Sequence, residues 1–532
     1  MTSCQPAIEQ NAKRSIGGLA LLLCFFVLAA VYLVWAICDT LTDLGGDSAT
    51  YMLVARALSP LLPPDPLIAQ AAVGAISPPL FPVLIGLFGG GFVAAHGLVV
   101  TSLLVSLILL YLWLRGEKLG VGTSAVAALL FALQPGTYLL ALNIWSENTY
   151  LCLSLLTVLA VARAQSSASI ELGSRWWWTA VGAAAAAAVT RSAGLTLLLT
   201  LTAFVILQRP RRWRFMLLAA WLPFLLWVFW SRLNASGASV STQHLYRFYG
   251  EDFLPHLLAQ LASEAPALIG AWLASWLGGP ASWPLALLVL AFGGLCISGW
   301  AVSLRQKRCD ALYVLIYLCL LMVWPWPSEA VRFLYVIAPI LLGYGICMAQ
   351  LVSNRVDQSA RWAIRFAVPV LLTVTILPNL FICVHRRFQE VPPDMTVIKH
   401  IAPYYSDFPQ DRSLAVAMAQ LLTNLPLLAQ YVSPSDCIFQ IKPSVVMLLA
   451  ERPAYLPPPP SATDDEFSRG LRQCRYAYLM KGQSVTFPSA FYPRDRLHGE
   501  YRILTTLPDK MAPDGEALAE LIDLLPTGPR PK

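Results

Sequence analysis

The sequence predicts an all-α polytopic membrane protein of about eleven transmembrane helices, followed by a small soluble α/β domain. Three observations carry this. The 532 residues are 57% hydrophobic and only 13% charged, where a soluble domain carries about a quarter charged residues. Mean hydropathy is +0.61, so lipid must solvate much of the chain. Finally, the basic residues fall in short clusters between apolar runs, and the runs give way after residue 384 to a Pro-rich, charged stretch.

A bilayer crossing needs about 20 apolar residues, fewer when the helix is buried among others. Runs of this kind occupy Ile16–Ile37, Phe92–Leu114, Val121–Leu142, Asn148–Ala164, Trp177–Val189, Gly194–Leu207, Phe215–Trp230, Trp283–Leu304, Ala311–Trp326, Phe333–Gln350 and Phe366–Val384. The first is too long for a cleavable signal peptide, and no small-residue cleavage site follows it. The pair flanking Thr190-Arg191 is short and reads either as two spans or as one broken helix.

Orientation follows from the excess of Lys and Arg in cytoplasmic loops. Lys13 and Arg14 precede the first run. Arg115 and Lys118, Arg163 and Arg175, Arg209 to Arg214, Arg305 to Arg308, and Arg355 to Arg365 follow in alternate connections. With eleven spans every cluster lies inside, which also favours splitting the region around Thr190-Arg191. The expected location is a bacterial inner membrane, with the N-terminus cytoplasmic. Loops 38–91 and 231–282 then face the periplasm, as does everything after the 1–384 membrane module. The net charge of +7 is loop bias, not a nucleic-acid patch.

Residues 385–532 read as a periplasmic α/β domain. Cys437–Ile441, Tyr476–Met480 and Tyr501–Thr505 have strand character, with a helix over Ser444–Glu451. Ser413–Val432 is apolar enough to suggest a twelfth span, but Gln420, Asn424, Pro426 and Gln430 argue against it. Most of the 11 Cys sit in or beside spans as small apolar residues. Cys437 and Cys474 lie in the exported domain, either as a disulfide or as two buried thiols. No CxxC spacing, Walker loop, GxGxxG or nucleophile elbow is present, so the sequence offers no support for nucleotide-driven transport or hydrolase chemistry.

The unusual residues lie on the outer face. After Asp47, the residues Tyr51, Val54, Ala55 and Leu58 follow at helical spacing, describing a short amphipathic helix suited to the membrane surface. Asp47 is either its N-cap or a carboxylate held at the interface as a base. Ser77-Pro78-Pro79-Leu80-Phe81-Pro82 opens another interfacial segment. In Asn143-Ile144-Trp145-Ser146-Glu147-Asn148, Ser146 can cap the next helix and Glu147 can sit on its positive end, or Glu147 has a functional role. Arg191 interrupts an Ala-rich helix; it either snorkels or takes an anionic partner. Glu329 and Arg332 stand at the outer end of a later span. His244 and Arg247, in a dense polar and aromatic stretch of loop 231–282, are either surface residues or part of a basic pocket.

Taken in order, Asp47 with Tyr51, the Ser-Pro-Pro-Leu-Phe-Pro run, Ser146-Glu147, Thr190-Arg191 with Gly194, and Arg332-Phe333-Leu334 with Pro339 resemble the GT-C membrane glycosyltransferases. The resemblance is to the branch of protein O-mannosyltransferases and the lipid A aminoarabinose transferase, and it covers about residues 16–384. It implies transfer of a sugar from a polyprenyl-phosphate carrier to an acceptor hydroxyl on a lipid, glycan or protein at the outer membrane face. Asp47 would be the general base. Glu147 would orient the acceptor or bind metal. Arg191 and Arg332, with Tyr51, Glu329, His244 and Arg247, would bind substrate, the arginines taking the carrier phosphate. Two positions depart from the family pattern. Ser48 stands where relatives often carry a second acid, and Ser192 where they often have Pro. The missing acid leaves fewer oxygen ligands for a divalent ion, so metal dependence stays open. Two alternatives are a transporter or flippase for a lipid-linked glycan, and a non-catalytic assembly protein. A transport site belongs at the membrane midplane; catalytic acids and arginines belong together at the outer face.

Overall fold

The computed structural model describes residues 23–34, 47–69, 77–167, 169–234, 253–278, 282–324, 329–355, 372–381, 424–440, 443–458, 463–480, 501–506 and 519–524, with the isolated positions 20 and 370. Most of the described residues before 384 are helical, and the bundle follows the apolar runs closely. Among them, five helices are long and apolar enough to cross a membrane, or six if one bent pair counts as a single span. Shorter apolar helices cover Leu23–Val34, Gly194–Gln208, Cys309–Met322, Ala338–Ser353 and Leu372–Phe381. Whole helix faces of large apolar side chains are exposed, as along Trp213–Asn234, where Phe215, Leu218, Leu222, Leu225, Leu226 and Phe229 point outward. A stripe at this spacing would aggregate in water and is at home in lipid.

The structure refines three boundaries. The Val121–Leu142 run is two helices, Val121–Leu133 and Pro135–Leu142, bent by 57°. Pro135 cannot donate to the preceding turn, so the helix breaks before it. The short pair is two helices, Ile170–Ala188 and Gly194–Gln208, as the charge alternation required. Stretch 231–282, expected as an outer loop, instead contains a 25-residue helix, Phe253–Leu277, of which Leu257–Leu277 is long and apolar enough to cross a membrane. Gln260, Ser263, Glu264 and Pro266 had disguised its apolar character. Pro266 is tolerated inside the helix, which packs against Ala330–Leu334 and against Pro135–Leu142, where Gly136 lets the Ser275 backbone approach closely.

Several basic residues take left-handed backbone at the ends of long helices, including Lys118, Arg209 and Lys307. After Phe92–Gly116, Leu119 N–H donates to Leu114 O; after Trp283–Arg305, Arg308 N–H donates to Ser303 O. Such turns satisfy the last carbonyls and place positive charge on the negative helix end.

Among the described residues the C-terminal domain contains a five-stranded sheet: β1 Ile438–Phe439, β2 Ala454–Tyr455, β3 Tyr476–Met480, β4 Tyr501–Thr506 and β5 Ala519–Leu524, ordered β2-β1-β3-β5-β4. β1 pairs in parallel with β2 and β3, while β5 pairs antiparallel with β3 and β4. The helix expected over Ser444–Glu451 is Pro443–Ala450. β2 and β5 are additions to the sequence reading. β5 was hidden by Glu520 and Asp523, both buried; Asp523 is paired fork to fork with Arg475 at 3.1 Å for each contact. The described end of the Ser413–Val432 run belongs to this domain, with Leu425, Leu428 and Val432 in its core. Residues 413–423 lie outside the described residues. Cys437 and Cys474 are joined as a disulfide, with Cα atoms 5.0 Å apart.

Candidate active site

The Asp47–Leu58 helix was expected on a lipid surface. It is instead buried between two protein neighbours. Ser48, Ala49, Tyr51, Met52, Leu53, Val54 and Ala55 are all buried. One side packs on Leu80–Leu87, with the Ala55 carbonyl close against Gly86, and the other on Pro443–Ala450 of the C-terminal domain. Ala49, Met52, Phe81 and Ile85 share an apolar core with Val445, Val446 and Leu448. The C-terminal domain therefore sits on the same end of the bundle as Asp47.

Asp47 opens its helix, and its side chain is 51% exposed. Its Oδ2 lies 2.7 Å from Nη2 of Arg332. Arg332 belongs to the short helix Ala330–Leu334. Its Nε donates to Oε1 of Glu147, its Nη1 is 3.9 Å from Glu329 Oε1, and its guanidinium lies over the Trp145 ring at 4.4 Å. Glu147 is the first residue of Glu147–Ser166, where the positive helix end favours a carboxylate. It is fully buried, and the same Oε1 accepts from Arg191 Nη1 at 2.6 Å. Arg191 stacks on Phe333 at 4.8 Å. The anionic partner expected for Arg191 is thus Glu147.

Arg191 is placed by a tight turn between two helices. A Cβ at Gly194 would lie 2.5 Å from the Ala187 carbonyl and from the Ala188 Cα, so this turn requires glycine. Leu80 N–H donates to the Val189 carbonyl at 2.9 Å, joining the Ser-Pro-Pro segment to the same turn. Ser146 does not cap its helix with its side chain. Its Oγ faces the Tyr51 hydroxyl at 3.1 Å and accepts from Arg191 at 3.4 Å. Tyr51 is accordingly buried and bonded within the cluster.

A layer of hydroxyls underlies the ions. Tyr150 OH lies 3.1 Å from Tyr313 OH and donates to the Ala193 carbonyl, and Tyr317 OH donates to the Phe333 carbonyl at 3.2 Å. Tyr335 OH donates to Asn148 Oδ1 at 2.7 Å. These bonds tie the Arg191 turn, the Glu147 helix and the Arg332 segment to the bundle, so the cluster is held by packed structure rather than by its charges alone.

Burial works against the charge of Arg332, but Glu147, Asp47 and Glu329 raise its pKa further than burial lowers it. At Arg191 burial is likewise outweighed, chiefly by Glu147. Burial pushes the Tyr51 hydroxyl up to about 12, helped by Asp47. Burial also raises the Glu329 carboxyl, against the pull of Arg332. One buried atom stands out: Glu147 Oε2 has no hydrogen-bond partner. A buried carboxylate oxygen left unbonded costs about 1–3 kcal/mol or more, and such a cost in an otherwise well-bonded cluster marks a place where a ligand's donor group would be welcome.

Asp47, Tyr51, Glu147, Arg191, Glu329 and Arg332 are therefore brought together. His244 and Arg247 lie outside the described residues. Sequence reasoning missed Trp145, Ser146 as a bonding partner, and Phe333. The signal for the two rings was their place in the sequence, Trp145 two residues before Glu147 and Phe333 directly after Arg332. Among the described residues no three His, Cys, Asp or Glu side chains come together as a metal-ligand set; Asp47, Glu147 and Glu329 each face Arg332.

No protein family matches the chain by sequence, and no curated protein does. Its structure is similar to that of ArnT from Cupriavidus metallidurans in the apo state, with a TM-score of 0.52 at 12% identity, covering 96% of this chain and 98% of that one. The same enzyme bound to undecaprenyl phosphate is matched with a TM-score of 0.50 at 14% identity, over 96% and 99% of the two chains. An Archaeoglobus fulgidus oligosaccharyltransferase is matched more distantly, with a TM-score of 0.47 at 10% identity over 86% and 68%. At these identities the likeness establishes the fold alone: the chain shares the architecture of ArnT along nearly its whole length.

Proposed function

We propose that this protein transfers a sugar from a polyprenyl-phosphate carrier to an acceptor hydroxyl at the outer face of a bacterial inner membrane. The observation that carries the reading is the convergence of Asp47, Glu147, Arg191 and Arg332 at one end of the bundle, with Asp47 accessible and one Glu147 oxygen unbonded. A solved structure of ArnT, which shares the fold, contains undecaprenyl phosphate.

The chemistry follows from the groups present. The acceptor oxygen attacks the anomeric carbon, the bond from that carbon to the carrier's phosphate oxygen breaks, and the acceptor proton leaves. Asp47 takes that proton, a contribution of about 10²–10⁴-fold. Arg191 and Arg332 face the phosphate, neutralising the charge that grows on the leaving oxygen. Both now bind Glu147, and Arg332 also binds Asp47. A phosphate that engages Arg332 draws it from Asp47 and frees that carboxylate for the acceptor. Glu147 Oε2 accepts from a substrate hydroxyl, and Tyr51 steadies Ser146 beneath Arg191. With the acids and arginines gathered at helix ends, a midplane transport site gains no support from the structure. The disulfide fits an oxidising periplasm around the 385–532 domain.

The test is mass spectrometry of envelope glycans and glycoproteins from cells with and without the protein. Loss of one sugar from a glycan or glycoprotein, with the sugar-charged polyprenyl-phosphate carrier accumulating, is expected. Unchanged glycans and an unchanged carrier pool would refute the assignment.

A further inference from the structure

Asp47 is held from two sides. One is its ion pair with Arg332; the other is the packing of its helix on Pro443–Ala450, a segment about 400 residues away in sequence that belongs to the C-terminal domain. That second support has a weak root. Pro443–Ala450 follows β1, which has two residues and pairs with each neighbour through only two positions. Two-residue strands bring little pairing energy of their own. At this root lies the Cys437–Cys474 disulfide. Cys437 directly precedes β1, and Cys474 stands two residues before β3, the partner of β1. The Cys437 carbonyl also accepts from Tyr476 N–H at 3.3 Å. The bridge thus fastens β1 to β3, and β3 is anchored through β5 by five residue pairs and the Arg475–Asp523 fork.

We propose that the Cys437–Cys474 disulfide and Val446 are positioning elements for the reaction. The disulfide locks β1, β1 presents Pro443–Ala450, and that helix seats the helix whose first residue is Asp47. Val446 is fully buried in the core shared by the two helices. The proposal rests on Asp47 being the base, and it makes the transfer rate depend on the redox state of a bond in another domain. A base displaced by a fraction of an ångström loses much of its advantage while still binding substrate.

Hydrogen exchange on the full-length protein in lipid nanodiscs separates this from a purely local role. In C437S/C474S, and in wild type reduced under native conditions, amides of Asp47–Leu58 and Pro443–Ala450 should exchange about tenfold faster or more. Amides of Phe92–Gly116 should be unchanged. V446D, with the disulfide intact, should loosen Asp47–Leu58 while β3 and β5 stay protected. In a transfer assay the reduced protein should lose about tenfold in kcat with a smaller change in the KM for the donor. Faster exchange confined to the domain's strands would overturn the proposal, as would V446D leaving Asp47–Leu58 fully protected. Because exchange needs no substrate, absence of transfer in the wild type would count against the glycosyltransferase reading and leave the positioning result standing.

Discussion

Two arginine–carboxylate clusters, a near-end one on Glu147 and a far-end one on Glu117, just past the Phe92–Gly116 helix, are built differently. At the far end, Arg308 uses Nη1 and Nη2 on the two oxygens of Glu117 at 2.5 Å each, and Nη2 and Nε on the two oxygens of Asp310 at 2.6 and 3.1 Å. Asp310 also accepts from the Ala311 N–H. Every carboxylate oxygen there has a partner. At the near end, both Arg191 and Arg332 crowd onto one oxygen of Glu147, the other oxygen has none, and Asp47 is half-exposed. A saturated ion cluster has nothing left to offer a ligand, whereas an unsaturated one does. Charge and burial alone do not separate the two clusters; an unmet carboxylate oxygen does.

This contrast breaks down if the two arginines respond alike. Arg308→Ala leaves Glu117 and the nearly buried Asp310 without their cation, and should cost about 3 kcal/mol of stability, seen as a lowered unfolding midpoint in detergent. Transfer per folded molecule should remain close to wild type. Arg332→Lys keeps the near-end charge but loses the planar fork, and should lower transfer by about 10²-fold with a small change in the unfolding midpoint. Equal stability losses with equal transfer would erase the distinction.

Glu147→Gln sharpens it. The amide keeps the shape and an acceptor oxygen, but removes the charge that both arginines share. A loss of about 10-fold or more in transfer is expected, with a stability cost of about 1–2 kcal/mol. Steady-state kinetics beside thermal unfolding reads both.

A smaller effect comes from Glu329. Burial raises its carboxyl above the ordinary value of 4.5. A raised acid binds protons more readily in the folded state, so its contribution is present below the unfolded value and lost as pH rises through the folded one. Wild type should therefore lose a little stability across the window just above pH 4.5, and Glu329→Gln should remove that component. Identical profiles for the two proteins would contradict the assignment.

Much of the near-end cluster was legible because ions beside apolar runs are costly and conspicuous. Asp47, Glu147, Arg191 and Arg332 stood out as charged residues at the ends of apolar runs. Their partners did not, because ring stacking by Trp145 and Phe333 depends on three-dimensional approach. Ser146 was misread for the same reason: local spacing suggests a cap, while the fold turns its hydroxyl to Tyr51 and Arg191. The far-end cluster was invisible, since Arg308 counts simply as cytoplasmic positive charge until Glu117, 191 positions away, is folded against it. The Phe253–Leu277 helix and β5 were hidden by polar residues that tertiary contacts satisfy. The bilayer constrains long apolar runs strongly enough to be read, whereas contacts between distant segments leave little local trace.

Whether Asp47 is the base of the near-end cluster is decided most simply by Asp47→Asn in a transfer assay. Asn keeps the size and the Oδ1 acceptor of Asp at the first helical position, but it is a far poorer base. The variant should fold and unfold like wild type and transfer sugar at a rate lowered about 10²-fold or more. Transfer within a factor of about two of wild type, by a protein that folds normally, would contradict the claim and remove Asp47 from the chemistry.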